Sequence, residues 1–342
     1  MAYTEMDRLM DTLNGEPRDR VPILPMVSGW SATNFSDLPV SRLAFEPKLV
    51  VEAKIRAREA MGYDAFFAYA EPSPIYDAFG CKVHFRDKGP IMDSLDIRVT
   101  SEEDLEKVPV PDPEKDGRLP LVLEIARGLS RYSRGEIPVL GALPGPFTTA
   151  GNIFGIEQTL RMTHRTPLLL DSILGRINGF LKEYGKALIK NGVHVMFIPE
   201  PSASATMISP LMFRRFVLPS LKELIRTLGI PCMLHICGDT FPLLEAMEES
   251  GARIVSLDQC MDLAMAKQRL GEGTVLGGNV DPVNSLLLGD EESVRTDTTR
   301  CLRVGGRTRF ILMTGCSVPS MTRRENLQTM IDTVKQYYET KR

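Results

Sequence analysis

Residues 231–240 read PCMLHICGDT, and the architecture can be read outward from this run. A proline opens it, six mostly apolar residues follow, and Gly238 stops it. Side chains alternate along an extended strand, so His235 and Cys237 project to one side while Leu234 and Ile236 face the other layer. The glycine places the His/Cys pair at the C-terminal tip of the strand. The same punctuation recurs through the chain: LPGPF at 143–147, IPEPS at 198–202, GGNVDP at 277–282 and TGCSVP at 314–319 each follow a short apolar run and precede a helical pattern. Short buried strands alternating with amphipathic helices specify a parallel sheet with crossover connections.

Counted along the chain, the strand candidates are 21–26, 65–69, 138–143, 194–198, 232–237, 253–257, 274–277 and 310–314. Helical periodicity and caps predict helices over 47–61, 119–131, 167–191, 210–228, 241–250, 293–304 and 323–338. Eight strands predict a single α/β domain over 1–342, a (β/α)8 TIM-type barrel whose chemistry sits in the strand-to-helix loops. The segment 71–113 fits this beat badly, with short extended pieces at 82–85 and 97–100, and reads as an inserted hairpin-like excursion placed to cover part of the mouth.

The chain's 43% hydrophobic and 25% charged residues exclude a disordered class. A net charge of -3 without a basic stripe argues against nucleic acid. No apolar run reaches the roughly 18–20 residues that cross a bilayer, and the opening MAYTEMDRLMDTLNGE is charged throughout, so neither membrane nor secretion is expected and the cytoplasm is the expected compartment. Six irregularly spaced cysteines do not make a disulfide scaffold. Cys81, Cys232, Cys260 and Cys301 read as small buried hydrophobes.

Cys316 follows the last strand, so His235, Cys237 and Cys316 meet at one end of a closed barrel, on strands that face each other across the lumen. One imidazole and two thiolates suit zinc, and three protein ligands leave a fourth position for a substrate. The alternative is a buried histidine beside two inert thiols. LHICGDT, LGGNVDP, TGCSVPSMTRRENL, GPFTTAG and EPSASATMISPLMFRRFVLPSL together resemble the corrinoid-dependent methyltransferase branch of the uroporphyrinogen decarboxylase superfamily, and the similarity runs from about Met6 to Tyr338. The resemblance implies a zinc-bearing barrel with His235, Cys237 and Cys316 as ligands, and extends to methylcobamide:coenzyme M methyltransferases. Residues 21–41 carry no Lys or Arg, whereas the decarboxylases of the superfamily place arginines in the corresponding loop to hold substrate carboxylates.

The expected activity is therefore methyl transfer between a corrinoid, methylcobalamin or a separate corrinoid protein, and a zinc-activated thiol such as coenzyme M. A second reading runs the other way, with a methoxylated compound giving its methyl group to a reduced corrinoid. Readings of another class are a uroporphyrinogen decarboxylase and a non-catalytic zinc- or corrinoid-binding protein. Asp258, after the sixth strand, is a candidate fourth ligand or substrate-orienting carboxylate, ahead of Gln259. Glu200 is a candidate substrate-binding group or acceptor for His235. Asp239 is a weaker candidate that suits a helix cap. Asn279 and Asp281 could dock an anionic tail at a helix start, or simply form a turn. Met26, Trp30, Met196 and Met207 could line an apolar cavity or fill the core. Glu71 and Tyr76, after the second strand, could enter the substrate pocket but receive no role, and His84, His164 and His194 read as structural or surface residues. Monomer and homodimer are both open.

Overall fold

The structure, a computed structural model, describes residues 3–86 and 89–339. Its strands are β1 (Phe66–Phe67), β2 (Val83–Arg86), β3 (Gly89–Met92), β4 (Val139–Ala142), β5 (Val195–Pro199), β6 (Cys232–Ile236), β7 (Ile254–Leu257), β8 (Val275–Val280) and β9 (Phe310–Thr314). Seven of them form one sheet in the order β1-β4-β5-β6-β7-β8-β9, every pair parallel. The helices between them pack on its outer side, the arrangement expected of a TIM-type barrel.

The first expected strand, 21–26, is reduced to a bridge between Ile23 and Leu312. Its sequence explains why: Pro22 and Pro25 carry no N–H to give to a ladder. The segment still joins both neighbours. Leu24 N donates to Leu312 O and Leu312 N to Pro22 O, both at 2.9 Å, while on the other side Asp64 N donates to Ile23 O at 2.9 Å. These bonds set 22–24 between β9 and β1. The buried Asp64 carboxylate reinforces the junction by accepting from Ile23 N at 2.7 Å while paired with Arg20.

Alternation sorts the strand residues into two cores. Phe67, Leu140, Val195, Phe197, Met233, Ile254, Val275, Ile311 and Met313 pack together inside the barrel. Their neighbours Met196, Ile198, Cys232, Leu234, Val255 and Leu312 belong to the larger layer between strands and helices. A helix not anticipated from the sequence, Glu5–Asn14, adds Leu9 and Leu13 to the inner core. Arg253 and Arg309 donate to Leu13 O at 2.7 and 3.1 Å, meeting the helix's terminal carbonyls.

The expected helix over 210–228 is broken into Pro210–Met212, a wider π turn over Phe213–Val217, and Leu218–Leu228. Pro219 at the start of the last piece lacks the N–H that an unbroken helix would use. Pro146–Phe154, which is buried almost all round and so shows little amphipathic stripe, and the adjoining Ile156–Arg165 also went unanticipated, as did shorter helices such as Ser28–Asn34 and Leu263–Arg269. The excursion over 71–113 contains the antiparallel hairpin β2-β3, with Val83 opposite Met92. Among the described residues no helix is long and apolar enough to cross a membrane.

Candidate metal centre

On β6 the inward face runs Met233, His235, and the next inward position is Cys237 just past the strand end. The register of β6 with β7 sets Ser256 beside His235. Ser256 Oγ lies 3.1 Å from His235 Nδ1, with both residues buried. The Phe197 ring on β5 packs 6.0 Å from the imidazole, closing its other side. Nδ1 is thus engaged, and Nε2 faces Cys237 Sγ at 3.5 Å.

Cys316 arrives from the turn after β9. Gly315 N donates to Val280 O at 2.8 Å, and a Cβ on Gly315 would sit 2.3 Å from Gln259 N, so only glycine lets this turn pass so close to the loop after β7. Thr314 Oγ1 donates to Cys316 O at 2.7 Å. The donor atoms of His235, Cys237 and Cys316 all lie within 4.8 Å of one another, a group that could hold a metal ion. The two thiols titrate together: hydrogen bonding from Cys237, with the nearby His235, favours the Cys316 thiolate, and that bond together with burial pushes the Cys237 thiol up.

The other expected site residues fall elsewhere. Asp258 Oδ2 accepts from Gly238 N at 2.9 Å and so holds the turn that carries Cys237, while Oδ1 accepts from Cys260 N at 3.0 Å within its own loop. Glu200 N donates to His235 O at 2.8 Å, but its carboxylate turns away from the imidazole. Fully buried, it accepts from Phe147 N and Thr148 N at the start of the helix Pro146–Phe154. Burial outweighs these bonds and pushes its carboxyl up to about 7. Asn279 is buried, with its amide donating to Asp258 O and Met261 O at 3.0 and 2.8 Å. Asp281 accepts from Val283 N and Asn284 N at 2.8 Å in a local turn. Neither borders the cavity described below: Asp281 builds its own turn, and Asn279 ties its strand to the loop after β7. Asp239 accepts from Phe241 N, as a cap would.

The three ligand candidates open onto a cavity of about 490 Å3. Met26 and Trp30 line it as anticipated, but Met196 is buried elsewhere in the core and Met207 is exposed on the surface. Gly89, Pro90 and Met92 of the hairpin form part of the wall. Glu71 and Tyr76, given no role from sequence, line it too; Glu71 pairs with Arg118, and Tyr76 Oη accepts from Asn152 Nδ2 at 2.8 Å. Ser256 also escaped notice, although a hydroxyl at an inward strand position is the signal that marks it. Cys81, Cys232 and Cys301 are buried as expected, but Cys260 is exposed. His84 pairs with Asp93 on the surface, His164 is exposed, and His194 Nδ1 accepts from Val139 N.

Residues 4–337 match the family model for uroporphyrinogen decarboxylase (URO-D). The chain belongs to the uroporphyrinogen decarboxylase family. Within it, the chain is 30% identical over 295 residues to a methylated-thiol–coenzyme M methyltransferase of Methanosarcina mazei, covering 85% of this chain and 78% of the relative. It is 29% identical to a methylcobamide:CoM methyltransferase MtbA of Methanosarcina acetivorans, covering 98% of each. Relatives bearing the name uroporphyrinogen decarboxylase match as well, at 27% identity. A solved methyltransferase from Methanosarcina mazei shares the fold of this family member, with a TM-score of 0.91 at 24% identity over 98% of this chain and all of the other.

Proposed function

We propose that this protein is a zinc-dependent methyltransferase, moving a methyl group between a corrinoid and a substrate held at His235, Cys237 and Cys316. The observation that carries the reading is the spacing of the donors. Zn–S and Zn–N bonds of about 2.3 and 2.05 Å meeting at a tetrahedral angle put N and S about 3.5 Å apart, and His235 Nε2 lies 3.5 Å from Cys237 Sγ. The donor set of one imidazole and two thiols fits the ion and leaves one coordination position to a substrate. Zinc bound there supplies a Lewis acid that turns a thiol into a thiolate near neutral pH or polarises an ether oxygen.

The chain's own residues do the rest. Ser256 accepts the Nδ1 proton of His235 and so presents Nε2 inward. The thiolates of Cys237 and Cys316 would neutralise a dication held there, with His235 as the neutral third donor. Asp258 holds the turn at Gly238 and keeps Cys237 in place. Methyl transfer to or from a thiolate or ether oxygen would need no separate general base. The cavity wall is largely apolar, and a corrinoid, free or carried by a partner protein, would approach through its mouth.

The same cavity bears against decarboxylation of a polycarboxylate, since 21–41 carry no Lys or Arg to hold one. The deciding experiment pairs elemental analysis with methyl exchange on cobalamin, followed by absorbance. Stoichiometric zinc and turnover are expected in the native chain. Cys316→Ala should stay folded, lose most of its zinc and lose transfer. Retention of both zinc and full activity by that variant would remove Cys316 from the site and with it this reading.

A further inference from the structure

We infer that Thr314 is a positioning residue for the candidate metal centre: its hydroxyl fixes the Cys316 turn across the seam where the barrel closes, and so sets the third donor against the other two. This assignment rests on the proposed metal for its purpose, though the hydroxyl's contacts stand without it.

The three donors reach the centre by different routes. His235 lies on β6 and Cys237 just past its end, so their relation is set locally. Cys316 comes from another part of the chain, and its place depends on how β9 joins its neighbours. On one side the join is a regular ladder. β8 and β9 pair from Leu276 opposite Phe310 to Val280 opposite Thr314, and Gly315 N extends the pairing by donating to Val280 O at 2.8 Å. On the other side lies the proline-bearing segment 21–26, reduced to the bridge between Ile23 and Leu312.

A parallel ladder that takes Leu24 N to Leu312 O would, two residues on, take Met26 N to the carbonyl of Thr314. Met26 N donates instead to Thr314 Oγ1 at 3.1 Å, and the same hydroxyl gives its own proton to Cys316 O at 2.7 Å. A rung of the closing seam has thus moved from backbone to side chain, and one hydroxyl joins the seam to the backbone of Cys316 itself. Thr314 and Met26 are both buried, so water is not at hand to replace either bond. Val318 N donates to Met26 O at 3.0 Å, which holds the turn on the far side of Cys316 as well. Farther along, Trp30 Nε1 donates to Thr322 O at 2.8 Å and Asn34 Nδ2 to Ser320 O at 2.9 Å, tying the rest of the loop to the helix Ser28–Asn34. Valine at 314 would keep the branched shape but could neither accept from Met26 N nor donate to Cys316 O. Two backbone groups would then need new partners, and a turn that moves to find them carries Cys316 with it. Serine keeps both bonds.

The test compares the zinc-loaded native chain with Thr314→Val and Thr314→Ser. Zinc affinity is read against a chromophoric chelator. Alkylation by iodoacetamide is followed at each cysteine by peptide mass spectrometry, with the exposed Cys260 as internal reference. Zinc should protect Cys237 and Cys316 in the native chain. Thr314→Val should bind zinc about tenfold or more weakly, with Cys316 alkylated about tenfold faster relative to Cys237 than in the native chain. Thr314→Ser should stay within about threefold of native on both counts. General loosening of the site would speed both thiols alike, so an unchanged Cys316 to Cys237 ratio in Thr314→Val overturns the inference, as does a serine variant as impaired as the valine one. Should the valine chain fail to fold, Thr314→Ala removes the hydroxyl without setting a methyl group against Met26 N and carries the same comparison. If zinc protects neither thiol in the native chain, the metal reading itself fails and the role of Thr314 falls with it.

Discussion

Replacing Ser256 by alanine tests whether the imidazole of His235 is held for a metal. The hydroxyl lies 3.1 Å from Nδ1 with serine and histidine at 0% and 2% exposure, so water cannot take its place. Losing one neutral hydrogen bond costs about 1 kcal/mol, and leaving a buried N–H without a partner adds about as much. A metal-ligating imidazole needs that same bond to fix its tautomer and ring orientation. Zinc affinity should therefore fall by about 1–2 kcal/mol, or about 5- to 30-fold. Competition against a chromophoric chelator at fixed pH measures this, with circular dichroism as a check on folding. Cys232→Ala is the control, since Cys232 faces the outer layer, and it should leave zinc affinity unchanged. A Ser256→Ala chain that is folded and binds zinc within about twofold of the native chain would show that the Ser256–His235 contact does not serve the metal.

Glu200 carries a pH signature. Its folded carboxyl sits at about 7 against an ordinary value near 4.5, so between those limits the folded chain holds a proton that the unfolded chain has released. Stability should fall as pH rises through that window and level off above it, a loss of about 3 kcal/mol at most. The difference in urea midpoint between native chain and Glu200→Gln should shrink from pH 5 to pH 8, and parallel profiles would refute the assignment. Gly145→Ala would place a Cβ 2.0 Å from Glu200 Oε2 in a backbone conformation that alanine adopts without strain. The carboxylate must then leave Phe147 N or Thr148 N, and chemical denaturation should show a loss of about 1–3 kcal/mol; an unchanged midpoint would mean the helix start can shift at no cost.

The repeating order of strand, Pro/Gly loop and helix was legible in the sequence because it depends on local periodicity and on residues with restricted or unusual backbone freedom. His235 and Cys237 were legible for the same reason, since two residues on one strand share a face whatever the rest of the chain does. Their convergence with Cys316 needed only the further step that strand ends of a barrel gather at one mouth. What a side chain does once there was not legible, because hydrogen bonds form between partners far apart in sequence. Glu200 looked like a partner for His235, yet it turns to the helix start at Phe147 and Thr148. Ser256, without any sequence motif, is the residue that holds the imidazole. Asn279 and Asp281 satisfy their own surroundings before any ligand can ask for them. The cavity wall is likewise a tertiary property: residues from the first loop, the hairpin and the later strand ends contribute to one surface, and only their assembly shows it.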